Sequence, residues 1–234
     1  MGRAHPLMKT TVSVIIPTLD EREHLATTLD ALQDLRKSGH EVIVVDGGSA
    51  DGTPDVASRS ADRILDSPRG RALQMNAGAR EAGGDLLLFL HADTLIPAAS
   101  LTALVEGFPS SRSAWGRFDV RLSGRPRMLR VVENMMNIRS RLSGIATGDQ
   151  AIFVRREIFE KVGGFPEIPL MEDIAISRQL KRESRPFIPH GHVVTSSRRW
   201  EENGIWSTIL LMWRLRLAYA LGASPADLAR TYRS

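Results

Sequence analysis

The chain has 234 residues, 42% of them apolar and 25% charged, which excludes disordered and fibrous classes and allows one domain with a sizeable core. It contains no cysteine, so a disulfide, a thiolate nucleophile and a cysteine-ligated zinc are all excluded, and any metal must sit on oxygen or imidazole ligands. The net charge of +4 hides an asymmetry, with 10 Lys/Arg against 15 Asp/Glu through Ser110 and 21 against 12 beyond it: an acidic front suited to a cation and a basic back suited to an anionic acceptor or membrane.

Residues 1–10 read as a loose tail, without the apolar run of an export signal. Thr11 to Pro17 is a β-branched run closed by proline and predicts the first strand. Leu25, Leu29, Leu32 and Leu35 then recur at helical spacing. Glu41 to Val45 predicts a second strand that runs into the turn Asp46-Gly47-Gly48-Ser49. Thr53 and Pro54 read as an N-cap and first helical position. A short strand over 63–65, a helix over 71–82 and a buried strand over 85–90 complete a βαβ alternation, the mark of a mostly parallel sheet. Arg117 to Leu122 alternates charged and apolar residues, as a half-exposed antiparallel strand does. A helix over 127–142, a strand over 151–154, helices over 156–162 and 172–183 and a last apolar helix over 204–221 follow. No linker separates the halves, so they are expected to share one sheet. No window is apolar enough to span a bilayer.

In an open α/β sheet, ligands bind beyond the carboxyl ends of the strands. Here three strand ends carry acids: Asp20 and Glu21, Asp46, and Asp93. Such a rim suits Mg²⁺ or Mn²⁺ neutralising a diphosphate, since both take carboxylate, phosphate and water oxygens. Asp20 also reads as a helix cap and Asp51 as a turn residue. Neither a P-loop nor a dinucleotide fingerprint follows any strand, and aromatic and basic residues do not interleave, so nucleic acid is not an expected partner.

The segments Val14-Ile15-Ile16-Pro17-Thr18-Leu19-Asp20-Glu21, Val44-Val45-Asp46-Gly47-Gly48-Ser49 with Asp51-Gly52-Thr53, Asn76-Ala77-Gly78, Phe89-Leu90-His91-Ala92-Asp93, Gly163-Gly164-Phe165 and Glu172-Asp173 resemble, in that order, the family 2 glycosyltransferases and their GT-A fold. Gly70 to Asn76 and Gly148-Asp149-Gln150 are similar to a small bacterial branch associated with arsenosugar biosynthesis. The resemblance implies an α/β GT-A domain over 11–234, with a mostly parallel Rossmann-like sheet, an antiparallel second half and C-terminal helices. Residues 11–96 would bind the nucleotide sugar and 97–234 the acceptor. It implies an inverting transfer of a sugar from a nucleotide diphosphate donor, uridine preferred to guanosine, to a hydroxyl of an unidentified acceptor. A nucleotide-sugar-binding protein without catalysis and a sugar-phosphate nucleotidyltransferase are the alternatives.

Carried over residue by residue, Pro17, Thr18 and Glu21 would line the nucleoside pocket, Asp46 would bond the base, and Arg71 would sit near base or diphosphate. Asp93 would be the surviving acid of the D-x-D motif and ligate Mn²⁺ or Mg²⁺, and Asp173 would be the general base. His91 stands where the first acid of that motif belongs; a metal ligand, a ribose contact or a group orienting Asp93 are open to it. His190 and His192 lie where a further ligand sometimes arises, though a strand or loop histidine is the plainer reading. Asp149, Glu172 and Trp200 fall on the acceptor side, with Asp149 the next candidate base. The helix over 204–221 would pack within the protein or in a homodimer, or, with tryptophan beside arginine, lie on a membrane surface. The expected location is the cytoplasm, including the inner face of its membrane.

Overall fold

The structure, a computed structural model, describes residues 10–233; all of the expected tail except Thr10 lies outside them. The front half is built as its sequence pattern requires. Apolar β-branched runs form β1 (Val12–Thr18) and β2 (Glu41–Asp46), and the leucines at helical spacing bury one side of α1 (Arg22–Ala31) and α2 (Gln33–Lys37). Next come α3 (Thr53–Ser60), β3 (Arg63–Asp66), α4 (Arg71–Glu81) and β4 (Leu86–Phe89). The cap of α3 lies one residue earlier than expected, at Gly52, because Asp51 takes the N–H and hydroxyl of Thr53 into its own turn.

The back half contributes β5 (Thr94–Leu95), α5 (Ala98–Ser110), β6 (Trp115–Gly116), β7 (Asp119–Leu122), α6 (Arg127–Ser143), β8 (Phe153–Arg155) and α7 (Arg156–Lys161). It ends with α8 (Glu172–Glu183), β9 (His192–Thr195), α9 (Arg198–Glu202), α10 (Ile205–Ala220) and α11 (Pro225–Arg233). The six-stranded sheet has the order β3-β2-β1-β4-β8-β6; β1 to β4 are mutually parallel, and β8 runs antiparallel to both β4 and β6. The two halves therefore share this sheet only through β6 and β8. The other late strands form a separate sheet, β5-β9-β7.

The alternation at 117–122 gives a shorter strand than expected, and it pairs in parallel with β9. Arg117 and Phe118 are fully buried ahead of it: the Phe118 N–H bonds the Gln150 carbonyl, and the Arg117 guanidinium pairs with Asp119. Buried charge is tolerated where it is paired in this way.

Two of the sequence segments act as staples. Asn76 of α4 donates to and accepts from the backbone of Phe165, at 2.8 and 2.9 Å, which ties α4 to the loop after α7. Gln74 donates to the carbonyls of Thr18 and Val45, at 2.7 and 2.8 Å, and so closes the ends of β1 and β2. Apolar clusters fill both faces of the larger sheet. Among the described residues no helix is long and apolar enough to cross a membrane.

Candidate active site

The chain leaves β1 toward β2 and β3 and returns on the other side of β1 as β4, so the order of the sheet reverses between β1 and β4. A crevice opens at such a point because the two departing loops diverge. The β1 loop brings Glu21 to it and the β4 loop brings His91 and Asp93, so these acids reach the same crevice from opposite sides.

Two cavities meet there. One, of about 450 Å³, is lined by Pro17, Thr18, Arg71, Gln74 and residues of the 167–170 loop. The other, of about 230 Å³, is lined by Thr147, Asp149, Asp173, Arg198, Trp200 and Arg216. Glu21, Arg71, His91, Asp93, Glu172 and Tyr232, with Leu170, form the wall that both share.

A short 3₁₀ turn, Gly148–Gln150, knits the second cavity. Thr147 and Gln150 cap the turn reciprocally, and Gln150 is fully buried. The Gly148 N–H donates to Asp173 Oδ2 at 3.0 Å, and Asp149 Oδ1 lies 3.5 Å from His91 Nδ1. Gly148 is required here, since a Cβ on it would stand 2.4 Å from His91 Nε2.

Asp173 is the second residue of α8, where the helix dipole and the N–H groups of Gly148 and Ile174 favour its charge. Burial and then the neighbouring Glu172 carboxyl outweigh them, and the Asp173 carboxyl is pushed up to about 6. Asp149 moves the other way: burial raises it, but His91, Arg71 and Arg139 bring it below the ordinary value. The pair thus holds one carboxyl that titrates near neutrality beside one that stays ionised.

Glu21 carries a buried oxygen, Oε2, with no hydrogen-bond partner. Burial, then the nearby Asp93 carboxylate, push its pKa up. Two carboxylates with an unsatisfied buried oxygen between β1 and β4 fit a hard divalent cation. Among the described residues no group of three or more His, Asp or Glu gathers into a cage. The donor set therefore fits Mg²⁺ or Mn²⁺ held by one or two carboxylates with phosphate oxygens and water completing the shell.

The sequence candidates fall into two sets. Pro17, Thr18, Glu21, Arg71, His91, Asp93, Asp149, Glu172, Asp173 and Trp200 all line one or both cavities. Asp46 lines neither: it is 3% exposed, and its carboxylate accepts the N–H groups of Gly48 and Ser49 and the hydroxyls of Ser49 and Thr18. Burial raises its pKa and these bonds together bring it below the ordinary value. Asp20 likewise bonds the neighbouring loop, through the Ala50 N–H at 2.8 Å, and does not cap α1. His190 and His192 line neither cavity.

Tyr232 was not legible in advance. It reaches both cavities because α11 folds back over the site, where the Arg199 guanidinium lies 3.5 Å from its ring centroid. Arg139 of α6 is a second residue that no sequence motif marks: its Nε and Nη2 are buried without a partner, beside an apolar cavity of about 350 Å³ that adjoins the second one at Thr147, Asp149 and Trp200.

A sequence model described as Glycosyl transferase family 2 matches residues 13–163. The glycosyltransferase AglE of Haloferax volcanii is 31% identical over 180 residues, which cover 66% of this chain and 56% of that protein. The chain spans about half the length of the curated relatives it matches. In fold it is similar to the mannosyltransferase PcManGT of Pyrobaculum calidifontis, solved with GDP-Man and Mn²⁺, with a TM-score of 0.65 and 23% identity over 97% of this chain and 70% of the other. It is also similar to glucosyl-3-phosphoglycerate synthase of Mycobacterium tuberculosis, solved with Mn²⁺, UDP and phosphoglyceric acid, with a TM-score of 0.64 and 19% identity over 92% of this chain and 79% of the other.

Proposed function

Because the chain belongs to glycosyl transferase family 2, we propose that it moves a sugar, with inversion, from a nucleotide diphosphate donor to a hydroxyl of an acceptor. The observation that carries this reading is the shared wall. A larger cleft at the strand ends meets a smaller cavity holding Asp173, and Glu21, His91, Asp93 and Glu172 stand between them.

In this reading the donor lies in the larger cleft, its nucleoside against Pro17 and Thr18 and its diphosphate toward Arg71. Asp46 acts on the base only indirectly, by holding the Gly47–Ser49 turn in shape. Asp93 with Glu21 would hold Mg²⁺ or Mn²⁺, which when bound offsets the negative charge of the diphosphate. The two solved neighbours named above carry Mn²⁺, in keeping with this. His91, fixed against Asp149, orients the wall beside Asp93. The acceptor enters the smaller cavity, with Trp200 offering an aromatic face and Glu172 a second polar contact.

Asp173 takes the acceptor proton as the hydroxyl oxygen forms its bond to the anomeric carbon. The bond to the diphosphate oxygen breaks on the opposite face, which inverts the centre. A carboxylate whose pKa is near 6 is suited to this, since it is ionised at neutral pH yet more basic than an ordinary aspartate. The finer placement, in the small bacterial branch associated with arsenosugar biosynthesis, rests on the similarity of Gly70–Asn76 and Gly148–Gln150 and names no acceptor. Residues 11–234 are taken to act as one catalytic domain.

The test is to incubate the protein with Mn²⁺ and a panel of nucleotide sugars and identify what is released. Nucleoside diphosphate is expected. Pyrophosphate would mark a nucleotidyltransferase, and tight donor binding with no turnover on any hydroxyl acceptor would mark a sensor; either overturns the proposal. For the base, UDP should stabilise the protein against heat more than GDP at equal concentration, and the reverse order would overturn that preference.

A further inference from the structure

Every large hydrophobic side chain that stands exposed among the described residues lies on α6, on α10 or on the residue that caps α10. Soluble surfaces scatter such residues singly, so their confinement to two helices needs a cause. On α6 they are Val131, Met135, Ile138 and Leu142, spaced by four, three and four residues. On α10 they are Trp206, Leu210, Trp213 and Leu217, with the same spacing. Each set is one stripe along its helix. The opposite sides of both helices are already used: Leu129 and Val132 of α6 pack with Ile205 and Ile209 of α10, and Leu215 is buried against α11.

The stripes belong to one surface. Met135 and Met136 from α6 and Met212 and Trp213 from α10 line the same apolar cavity. Its inner end reaches Asp149 and Trp200 of the candidate site.

Charge decides what covers this face. The two helices carry Arg127, Arg130, Arg139, Arg141, Arg214 and Arg216 against one carboxylate, Glu133. Glu133 is buried, accepts the Leu122 N–H and pairs with Arg130, and Arg141 pairs with Asp119 of β7, which leaves Arg127, Arg139, Arg214 and Arg216 without an ion pair among the described residues. A second copy pairing through the same face would set these unpaired arginines against one another, because a two-fold contact brings like patches together. An apolar stripe edged by cations and holding two exposed tryptophans matches an anionic bilayer, whose headgroups take the arginines while the apolar side chains enter the boundary with the acyl chains.

We propose that α6 and α10 together form a docking surface for an anionic lipid bilayer, with the apolar cavity between them opening toward that bilayer. The surface binds lipid whether or not donor or acceptor is present, so it stands apart from the transferase reading.

The test is flotation of the full chain, without nucleotide, on vesicles of phosphatidylcholine mixed with phosphatidylglycerol and on vesicles of phosphatidylcholine alone. The chain is expected to rise with the mixed vesicles, to rise several-fold less with the neutral ones, and to be released by salt. Trp206→Glu and Leu142→Glu, one on each helix, should each weaken partitioning by about tenfold or more. Both side chains are more than 60% exposed, so neither substitution touches the core, and unchanged thermal unfolding confirms that the fold survives. Wild-type protein that stays at the bottom of the gradient at low salt would overturn the proposal. So would flotation of both variants equal to that of wild type, or a dimer in light scattering that Trp206→Glu converts to monomer.

Discussion

Replacing Asp173 with asparagine keeps the shape of the residue and removes its charge, and the two readouts should move in opposite directions. Its carboxyl is raised from an ordinary 3.8 to about 6, by burial first and by Glu172 second. A carboxyl raised on folding favours the protonated native state, so its contribution is fully present below pH about 4 and is lost as pH climbs through about 6. At pH 8 the ionised group costs the native state roughly 3 kcal/mol relative to an unperturbed aspartate, at about 1.4 kcal/mol per tenfold step. Asparagine avoids that cost but gives up one acceptor: its amide nitrogen must face either the Gly148 or the Ile174 N–H, a loss of about 1 kcal/mol. The variant should therefore be more stable than wild type at pH 8 by about 1 to 2 kcal/mol, or roughly 3 to 6 °C for a chain of this size. The gain should vanish near pH 4. Turnover should fall by about a hundredfold or more with donor affinity retained, as loss of a general base predicts. Thermal unfolding at the two pH values and steady-state kinetics check both halves. A variant less stable than wild type at pH 8 would refute the electrostatic argument, and near-wild-type turnover would move the base to Asp149.

Wild-type turnover should rise with pH and inflect near 6, because the base must be ionised; a rate flat from pH 5 to 8 would detach Asp173 from the proton transfer. Asp93→Ala should abolish the Mn²⁺-dependent part of donor binding in a thermal-shift titration and leave the fold intact, since Asp93 lies on a loop after β4; unchanged Mn²⁺ dependence would place the cation elsewhere. Gly148→Ala should push His91 off Asp149 and lower turnover by about tenfold or more while the protein still folds, because the new methyl meets only the end of one ring. Gly78→Ala should act on stability instead: its Cβ would stand 2.5 Å from Ile15 Cγ2 and 3.0 Å from Val45 Cγ2, so about 1 to 3 kcal/mol should be lost in denaturant unfolding with kinetics per folded molecule unchanged.

The front half was legible because β1, β2 and β4 are buried on both faces and helices alternate with the strands, so local pattern and tertiary role agree. The back half was less so. Gly107 and Pro109 near the end of α5 obscure a helix whose Leu101, Leu104 and Phe108 are buried at helical spacing. β5 and β9 are two and four residues long and pair across about a hundred positions, too short for periodicity to register. Among the site residues, Glu21, His91 and Asp93 could be placed because they follow strands of known polarity. Tyr232 could not, since only the return of α11 brings it there. Asp46 shows the limit of charge reasoning: an acid after a buried strand must be employed, and here the N–H groups of its own turn employ it.

The cost of building the site is visible in the backbone. Three non-glycine residues among those described adopt positive φ: Asp20 at 54°, Ala151 at 47° and Met171 at 69°. Each adjoins a site element, since Asp20 precedes Glu21, Ala151 follows the Gly148–Gln150 turn, and Met171 precedes Glu172 and Asp173. Aspartate tolerates this conformation better than most residues, and the Asp20 carboxylate accepts the Ala50 N–H of the neighbouring loop. Alanine and methionine have no such compensation and store about 1 kcal/mol or more each. Met171 sets the entry angle of α8 and so aims Glu172 at the shared wall and Asp173 into the smaller cavity, while Ala151 turns the chain from Asp149 back into β8. With the raised Asp173 carboxyl, these strains are local costs carried by the packed sheets on either side. Relief of any one of them is expected to stabilise the chain and to move a residue of the site.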